Sequence, residues 1–285
     1  MSISSNSLFH FTDNIDTVKK ILSDKFYGSY CKETLHYKLE KVPLIIPMIS
    51  FCDIPLKTIS MHSKYGKFGI GLTKDWGIRS QLNPVFYLEK SSSLADSLIK
   101  SLYGSLNIIA FTEPELTRIK NRIDAINKNR NYNQILKKQE LQKLQGELTR
   151  HNNMADSMRH LIYSLYYTKH YSDELDRTGV VIPNYKFYDE REWRYLPEFE
   201  CAVCELRRTE ADYIQWRGTS KQKPILAEVN LSFAPGEIDY LIVELKDQKK
   251  EIREFIKQFD TNKFTQDQKE ELYSKIISFE EVNDM

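Results

Sequence analysis

The sequence predicts an α+β fold with a mixed or antiparallel β core and a helical insertion. The predicted elements follow the order helix, strands, helical block, strands, helices, whereas a doubly wound sheet requires a regular alternation of strands and helices. The block from Glu113 to His170 repeats its apolar residues at helical spacing and contains almost no glycine or proline. We therefore predict one α+β domain over residues 1–285, with residues 113–170 as a helical insertion within it.

The composition narrows the classes of function. The 285 residues carry a formal net charge of +1, so the chain as a whole has no charge excess that would favour nucleic acid or membranes. It has no run of about 18 apolar residues, and its first residues lack the pattern of a secretory signal. We therefore expect a cytoplasmic protein that does not span a membrane, with its four cysteines as free thiols.

Cys201 and Cys204 form an isolated C-x-x-C pair. A zinc site would need two further ligands at suitable spacing, and neither Cys31 nor His36 supplies them. The favoured interpretation is therefore a pair of ordinary thiols near the end of a strand, with a zinc or redox role as the alternative.

The first third of the chain predicts a capped helix followed by strands. Asp13 and Asn14 can cap the segment IDTVKKILSD, which places its apolar residues on one face. The segment TKDWGIRSQLN predicts a further turn of helix. Apolar runs between prolines and glycines predict the strands LIIPMISFC, FGIGL (Phe68–Leu72), PVFYL (Pro84–Leu88) and NIIAF (Asn107–Phe111).

The helical block is also the most basic part of the chain. Its period predicts about three helices. Between Thr117 and Arg150, nine lysines and arginines face three acidic residues, a local excess of +6. Helical charge usually marks a solvated face, and the alternative hypothesis is an arm that binds RNA or another nucleic acid.

The last third predicts strands and then two amphipathic helices. The helices are expected around Gln248–Gln258 and Thr265–Tyr273. The strands are predicted from runs rich in β-branched and aromatic residues, namely TGVVIP, EWRYLP, PILAEVNLSF, EIDYLIVEL and, near the C-terminus, KIISF.

Two segments near the N-terminus contain candidate ligand-binding residues. In LFHFT, strand alternation places His10 and Thr12 on one face, where they can hold a polar ligand near a helix N-terminus; the alternative is a strand end with a hydroxyl cap. In MHSKYGKFGIGL, three glycines close to Tyr65 let the backbone approach a ligand. No G-K-[ST] follows those glycines, which excludes a P-loop, and the alternative is a simple turn into a strand.

The segment FYDEREWRYLP concentrates charge between aromatic residues. If Trp193 and Tyr195 point into the core, Glu192 and Arg194 share the other face of the strand. Buried charges require partners, so that face must be a polar cleft or a paired ion network. A structural ion pair, such as Glu190 with Arg194, is the alternative to a functional site.

Several of these stretches together resemble the AbiGi family of abortive phage-resistance proteins. The similarity runs from Leu8 to Phe233 and is weakest over the helical block. It implies membership of a two-gene phage-exclusion system, often as the antitoxin half, with a cognate toxin or a phage protein as partner. The stretches that carry it are FHFT, PMISFCDIP, YGKFGIGLTKDW, NPVFYL and YDEREWRYLP.

The opening LFHFTDNIDTVKKIL is also similar to the start of ADP-ribosyltransferase-like folds, which use NAD as cofactor. This resemblance implies that His10 and Thr12 begin an NAD pocket and that Tyr65 stacks on nicotinamide. It matches Glu192 to the late catalytic glutamate, with Glu190 as second choice. Arg79 or Arg194 would then oppose the pyrophosphate charge. The middle motif of those folds is not clearly present, and the helical block lengthens the spacing from Tyr65 to Glu192.

Two functions are therefore predicted. One is an effector that transfers ADP-ribose from NAD to a macromolecule or depletes NAD, with Glu192 stabilising an oxocarbenium-like centre. The other is a non-catalytic antitoxin or sensor that binds a toxin or a phage product. The enzyme requires His10, Tyr65 and Glu192 to surround one cleft, whereas a binding module does not.

Overall fold

The computed structural model describes residues 5–37, 40–177, 180–198, 209–218 and 224–283. Cys201 and Cys204 lie outside these residues. The chain divides into two units. The first unit comprises Met1–Leu35, Pro43–Lys90 and Lys169–Met285, and the second comprises His36–Val42 and Ser91–Thr168.

The first unit begins with a strand and a capped helix, as predicted. The side chain of Asn14 accepts a 2.9 Å hydrogen bond from the backbone N–H of Thr17, which satisfies one free donor of the helix. The elements up to the second unit are β1 (Ser7–Thr12), α1 (Ile15–Ser23), β2 (Phe26–Tyr37), β3 (Glu40–Cys52), a 3₁₀ helix (Leu56–Tyr65), β4 (Phe68–Thr73), α2 (Lys74–Arg79), β5 (Asn83–Pro84) and β6 (Phe86–Leu88).

Among its described residues, the second unit contains two long helices, α3 (Ser93–Lys128) and α4 (Gln134–Leu165). The helical block is confirmed, but the prediction of about three helices starting at Glu113 is wrong. Asn107–Phe111, predicted as a strand, lies inside α3, where its β-branched residues belong to a much longer helical pattern. The side-chain oxygen of Ser92 caps α3 by accepting a 3.1 Å hydrogen bond from the N–H of Ala95.

The remaining elements return to the first unit, and the strands and helices predicted there are confirmed. Thr168–His170, predicted at the end of the helical block, forms a strand instead. The elements are β7 (Thr168–His170), β8 (Asp173–Arg177), β9 (Val180–Tyr185), a 3₁₀ helix (Phe187–Glu190), β10 (Glu192–Tyr195), α5 (Glu210–Arg217), β11 (Leu226–Leu231), a 3₁₀ turn (Pro235–Glu237), β12 (Ile238–Val243), α6 (Gln248–Lys257), α7 (Gln266–Ser274), β13 (Ile276–Ser278) and α8 (Phe279–Asn283).

In the described part of the chain, nine strands form one mixed sheet, which confirms the predicted mixed β core. Its main order is β11-β2-β3-β1-β4-β12-β13, and β10 pairs with both β3 and β5. The pair β12–β13 is parallel, whereas β1–β4 and β3–β10 are antiparallel. Two further sheets of two strands each join β6 to β7 and β8 to β9.

Each face of the main sheet has its own apolar cluster. On the first face, Leu8, Phe51 and Ile70 pack with side chains of α1, α2, α6 and α7. On the second face, Phe9 and Ile242 pack with residues of the longer 3₁₀ helix and of α8. The second unit has a separate small core of Ile119, Ile126 and Leu144 between its two helices.

Gly71 makes room for the second face. A Cβ atom at Gly71 would lie 2.8 Å from the ring of Phe9, which is fully buried against β4. A larger residue at this position would therefore displace an aromatic side chain from the core.

Among the described helices, none combines the length and apolar character that crossing a bilayer requires.

Candidate functional site

Strand β10 alternates as the sequence predicts. Glu192 and Arg194 are buried, with 4% and 0% of their surface exposed, whereas Trp193 and Tyr195 are partly buried against the apolar cluster of the first face. Arg194 is among the largest fully buried side chains of the described chain. Burial of both charges is costly unless each has a partner at hydrogen-bonding distance.

Both charges have such partners. The Nε of Arg194 donates to Glu192 Oε1 at 2.6 Å, and its Nη2 lies 3.0 Å from Glu33 Oε1. Lys169 Nζ donates to Glu192 Oε2 at 2.7 Å and to Glu190 Oε2 at 3.0 Å. The hydroxyl of Tyr65 donates to Glu190 Oε1. These residues form the buried ion network, whose members are Glu33, Tyr65, Lys169, Glu190, Glu192 and Arg194.

Within the network, the ion-pair partner of Glu190 is Lys169. The sequence-based alternative paired Glu190 with Arg194, but Glu190 pairs with Lys169 at 3.0 Å, and Arg194 binds Glu192 and Glu33. The two glutamates therefore share Lys169 between them.

Arg191 has a left-handed backbone conformation between the two glutamates. Its φ is 48°, which is uncommon for a residue with a Cβ atom. Its carbonyl accepts a 3.1 Å hydrogen bond from the N–H of Asp53, and its guanidinium lies 3.7 Å from the Asp53 carboxylate. This turn ends the 3₁₀ helix and starts β10, so that Glu190 and Glu192 both reach Lys169.

The electrostatics keep Glu192 ionised. Burial alone would raise the pKa of its carboxyl, but the charges of Arg194 and Lys169 outweigh burial and lower this pKa to about 2. Burial likewise opposes the charged form of Lys169, yet Glu190 and Glu192 raise the Lys169 pKa well above its usual range. Both partners of Glu192 are therefore charged at neutral pH.

The neutral groups near the network stay protonated. Burial and the carboxylate of Glu190 raise the pKa of Tyr65 far above its ordinary value. Burial, followed by Glu190 and Glu192, raises the pKa of the Cys52 thiol. Since the thiolate is the reactive form of cysteine, Cys52 is not an activated nucleophile.

His10 lies in an aromatic environment. Its Nδ1 is 2.9 Å from the carbonyl oxygen of Ser50, which can only accept, so Nδ1 carries the proton and donates. The imidazole packs against the rings of Phe26 and Phe51, with centroid distances of 5.2 and 5.4 Å. Burial lowers its pKa, although the hydrogen bond to Ser50 opposes the shift, so the ring is neutral at pH 7.

The strand registers place His10 and Glu192 on opposite faces of the sheet. Cys52 pairs with Phe9 on one side and with Glu192 on the other, so these three side chains share the second face. His10 follows Phe9 and pairs with Ile70, whose side chain belongs to the first face. The expectation that His10, Tyr65 and Glu192 surround one cleft is therefore wrong.

The other predicted site residues lie in three different places. Tyr65 and Arg194 join Glu192 in the buried ion network. Thr12 is two residues from His10 on β1 and shares its face. Arg79 ends α2 with 61% of its side chain exposed and lies 2.7 Å from Glu237.

Sequence reasoning missed Lys169 and Glu33. Lys169 belongs to a three-residue strand shortly after the end of α4, and Glu33 lies in the long strand β2. Neither position has a motif around it. The sequence did contain a chemical indication of a further cation. Glu190 and Glu192 both lie close to Arg194 in the chain, and if both carboxylates are buried, one arginine cannot compensate both charges, so a second cation is required.

The sequence of this chain is similar to those of known proteins over most of its length. A family model described as "Putative abortive phage resistance protein AbiGi, antitoxin" matches residues 24–244. The chain belongs to the AbiGi family. The AbiGi match spans the buried ion network from Glu33 to Arg194 and the whole helical unit from Ser91 to Thr168.

A curated AbiGi relative extends the similarity to almost the full chain. It is the "Abortive phage resistance protein AbiGi" of Lactococcus lactis subsp. cremoris, 28% identical over 280 residues, which cover 91% of this chain and 98% of the relative. No solved structure matches. The family resemblance inferred from the sequence motifs is thus confirmed.

Proposed function

We propose that this chain is the antitoxin component of an abortive-infection system and acts by binding a partner protein, without a catalytic site of its own. The description of its family as an antitoxin of abortive phage resistance supports the first part. An antitoxin implies a cognate toxin as partner. The second part, the absence of a catalytic site, rests on one structural observation: both carboxylate oxygens of Glu192 are bonded to cations inside the buried ion network.

The occupation of both oxygens of Glu192 is unfavourable for transfer of ADP-ribose from NAD. A carboxylate that stabilises an oxocarbenium-like centre must face the sugar and keep at least one oxygen available for it. In this chain Oε1 of Glu192 accepts from Arg194, Oε2 accepts from Lys169, and the residue is 4% exposed. The charge of the carboxylate is already compensated by two cations, so it supports the fold instead of a reacting group.

The competing proposal is an ADP-ribosyltransferase-like core that binds NAD. It is supported by the proximity of Tyr65 to Glu192 through Glu190 and Lys169. It requires a conformation in which Glu192 exchanges Lys169 or Arg194 for the nicotinamide ribose. It also requires a substitute for His10, which lies on the other face of the sheet.

Two experiments distinguish these proposals. Incubation of the purified chain with adenylate-labelled NAD, with and without cell extract, should release no nicotinamide and label no protein. Co-expression of the affinity-tagged chain with the second protein of its two-gene system should recover that protein and relieve its toxicity. NAD turnover that disappears in a normally folded Glu192→Gln variant would replace the antitoxin proposal with the enzyme.

A further inference from the structure

The end of the helical hairpin is rich in cations. The segment Lys128–Lys138 joins α3 to α4 and contains four basic residues and no acidic residue. We call this segment the arm tip. Three of its cations, Lys128, Arg130 and Lys138, are exposed.

The ion pairs among the described residues of the hairpin formed by α3 and α4 involve none of the arm-tip cations. Glu115 binds Arg118 at 2.7 Å, and Glu140 binds Arg122 at 2.5 Å. Lys137 Nζ donates to the carbonyl of Asn127 at 3.2 Å. Within the part of the chain that the structure describes, the exposed cations without an ion pair on this hairpin are Lys100, Lys120, Lys128, Arg130, Lys138, Lys143 and Arg150.

This pattern decides between the two interpretations of the basic block. A solvated helical face normally interleaves both signs of charge and satisfies many of them by pairs along the helix. Between Thr117 and Arg150, Glu140 forms an ion pair, whereas Asp124 and Glu147 form none among the described residues. The exposed cations of this stretch outnumber those two acidic residues and are densest at the arm tip. An uncompensated cluster of this kind is complementary to a polyanion.

We propose that the arm tip binds the phosphate backbone of a double-stranded nucleic acid. Lys128, Arg130 and Lys138 would contact phosphates, and binding would be independent of base sequence. Single-strand binding normally adds exposed aromatic rings on which bases stack. The aromatic residue of the arm tip, Tyr132, is half-buried, and its hydroxyl is bonded to Glu140, so the tip offers no stacking platform.

An anionic membrane surface is the alternative polyanion. Ile135 and Leu136 at the start of α4 are 72% and 57% exposed. A helix that lies in a membrane interface presents a long apolar face, whereas these are two neighbouring residues on an otherwise polar turn. The observations therefore favour nucleic acid, and this inference is independent of the proposed antitoxin activity.

Fluorescence anisotropy with the full chain tests the proposal. The probes are labelled duplex RNA, duplex DNA and the corresponding single strands, titrated between about 50 and 200 mM salt. Wild-type protein should bind a duplex with an affinity that falls linearly on a double-logarithmic salt plot. The variant Lys128→Gln/Arg130→Gln/Lys138→Gln should weaken binding by at least about tenfold at low salt and lower the slope by about 3.

The matched control removes the same charge elsewhere. Lys20, Lys57 and Lys250 are exposed lysines of the first unit, and the variant Lys20→Gln/Lys57→Gln/Lys250→Gln should bind as wild type. Circular-dichroism melts should show that both triple variants remain folded, since every altered side chain is exposed.

Three results would overturn the proposal. They are absence of duplex binding at the lowest salt, equal weakening by the arm-tip and control variants, and binding to phosphatidylglycerol vesicles but not to duplexes. If duplexes bind as proposed, the comparison of RNA with DNA identifies the source of the phosphate backbone.

Discussion

Arg194 and Glu192 are two residues apart on one strand, and the Nε of the arginine lies 2.6 Å from Oε1 of the glutamate in the interior of the protein. A strand places such residues on the same face, so the pair follows directly from the alternation of β10. Lys169 approaches the same carboxylate from another strand. Together these contacts make Glu192 the residue whose charge two buried cations share.

Replacement of this carboxylate should destabilise the fold. Glu192→Gln keeps the volume but leaves Lys169 and Arg194 with less compensation in a buried site, and we expect a loss of about 3–5 kcal/mol of unfolding free energy. Urea denaturation measures this loss. The matched control is Glu237→Gln, which breaks the exposed pair with Arg79 and should cost about 0–1 kcal/mol.

Comparison of phage defence with thermal stability in Glu192→Gln separates a structural role of this residue from a ligand-binding role. If the network is structural, defence in a plaque assay should decline together with the melting temperature. An unchanged melting temperature with abolished defence would instead indicate that Glu192 acts on a ligand.

The network should also make stability depend on acidic pH. The folded-state pKa of Glu192, about 2, lies below the ordinary value of about 4.3 for an unfolded glutamate. The unfolded state therefore binds the proton first, so this stabilisation is present above about pH 4.3 and is lost as pH falls toward 2. The difference in unfolding free energy between wild type and Glu192→Gln should shrink over this range. A constant difference would contradict the assigned charge state.

His10 should give a second, separate pH effect. Burial lowers its pKa in the folded state below the ordinary value of about 6.5, so the unfolded state takes up the proton at higher pH than the folded state. Stability from neutral His10 is thus present above about pH 6.5 and is lost as pH falls through the folded pKa. The stability difference between wild type and His10→Gln, measured by denaturation at a series of pH values, should decrease below about pH 6.5. An increase would show that the folded protein prefers the protonated imidazole.

Gly66 should tolerate no side chain. It follows Tyr65 with a φ of +124°, and a Cβ atom there would lie 1.9 Å from the carbonyl oxygen of Thr12. Gly66→Ala should therefore lower stability by more than the about 1–3 kcal/mol of backbone strain alone, because the clash adds to it. Thermal melts would measure this change.

Gly146 provides the matched control for that substitution. It lies within α4, and a Cβ atom there would meet nothing within 4 Å. Gly146→Ala should stabilise the protein by about 0.5–1 kcal/mol, because alanine is the better helix former. Equal melting temperatures for the two alanine variants would refute the assigned strain at Gly66.

Local patterns were sufficient to predict much of the fold. Alternation and turn residues predicted the strands around Phe9 and Trp193, and a capping side chain predicted the start of α1. The run Asn107–Phe111 was misassigned because β-branched residues also fit a long helix, where Ile109 is buried and Phe111 is 68% exposed. The cap at Ser92 was the local signal that this helix starts earlier.

The candidate site was less accessible from the sequence. The face of Glu192 follows from alternation, but its contact with Lys169 depends on how two distant strands meet. The separation of His10 from Glu192 likewise depends on the registers of β1 and β10 with β3. Neither relationship has a sequence period that could reveal it.

The sharing of Lys169 by two glutamates has a consequence for how this family can diverge. A chain that lost the cation at this position would hold excess negative charge in its interior, so a neutral residue at position 190 or 192 should accompany the loss. Substitutions at positions 169, 190 and 192 should therefore covary among AbiGi sequences. Position 237, whose ion pair is exposed, should drift independently of its partner at position 79.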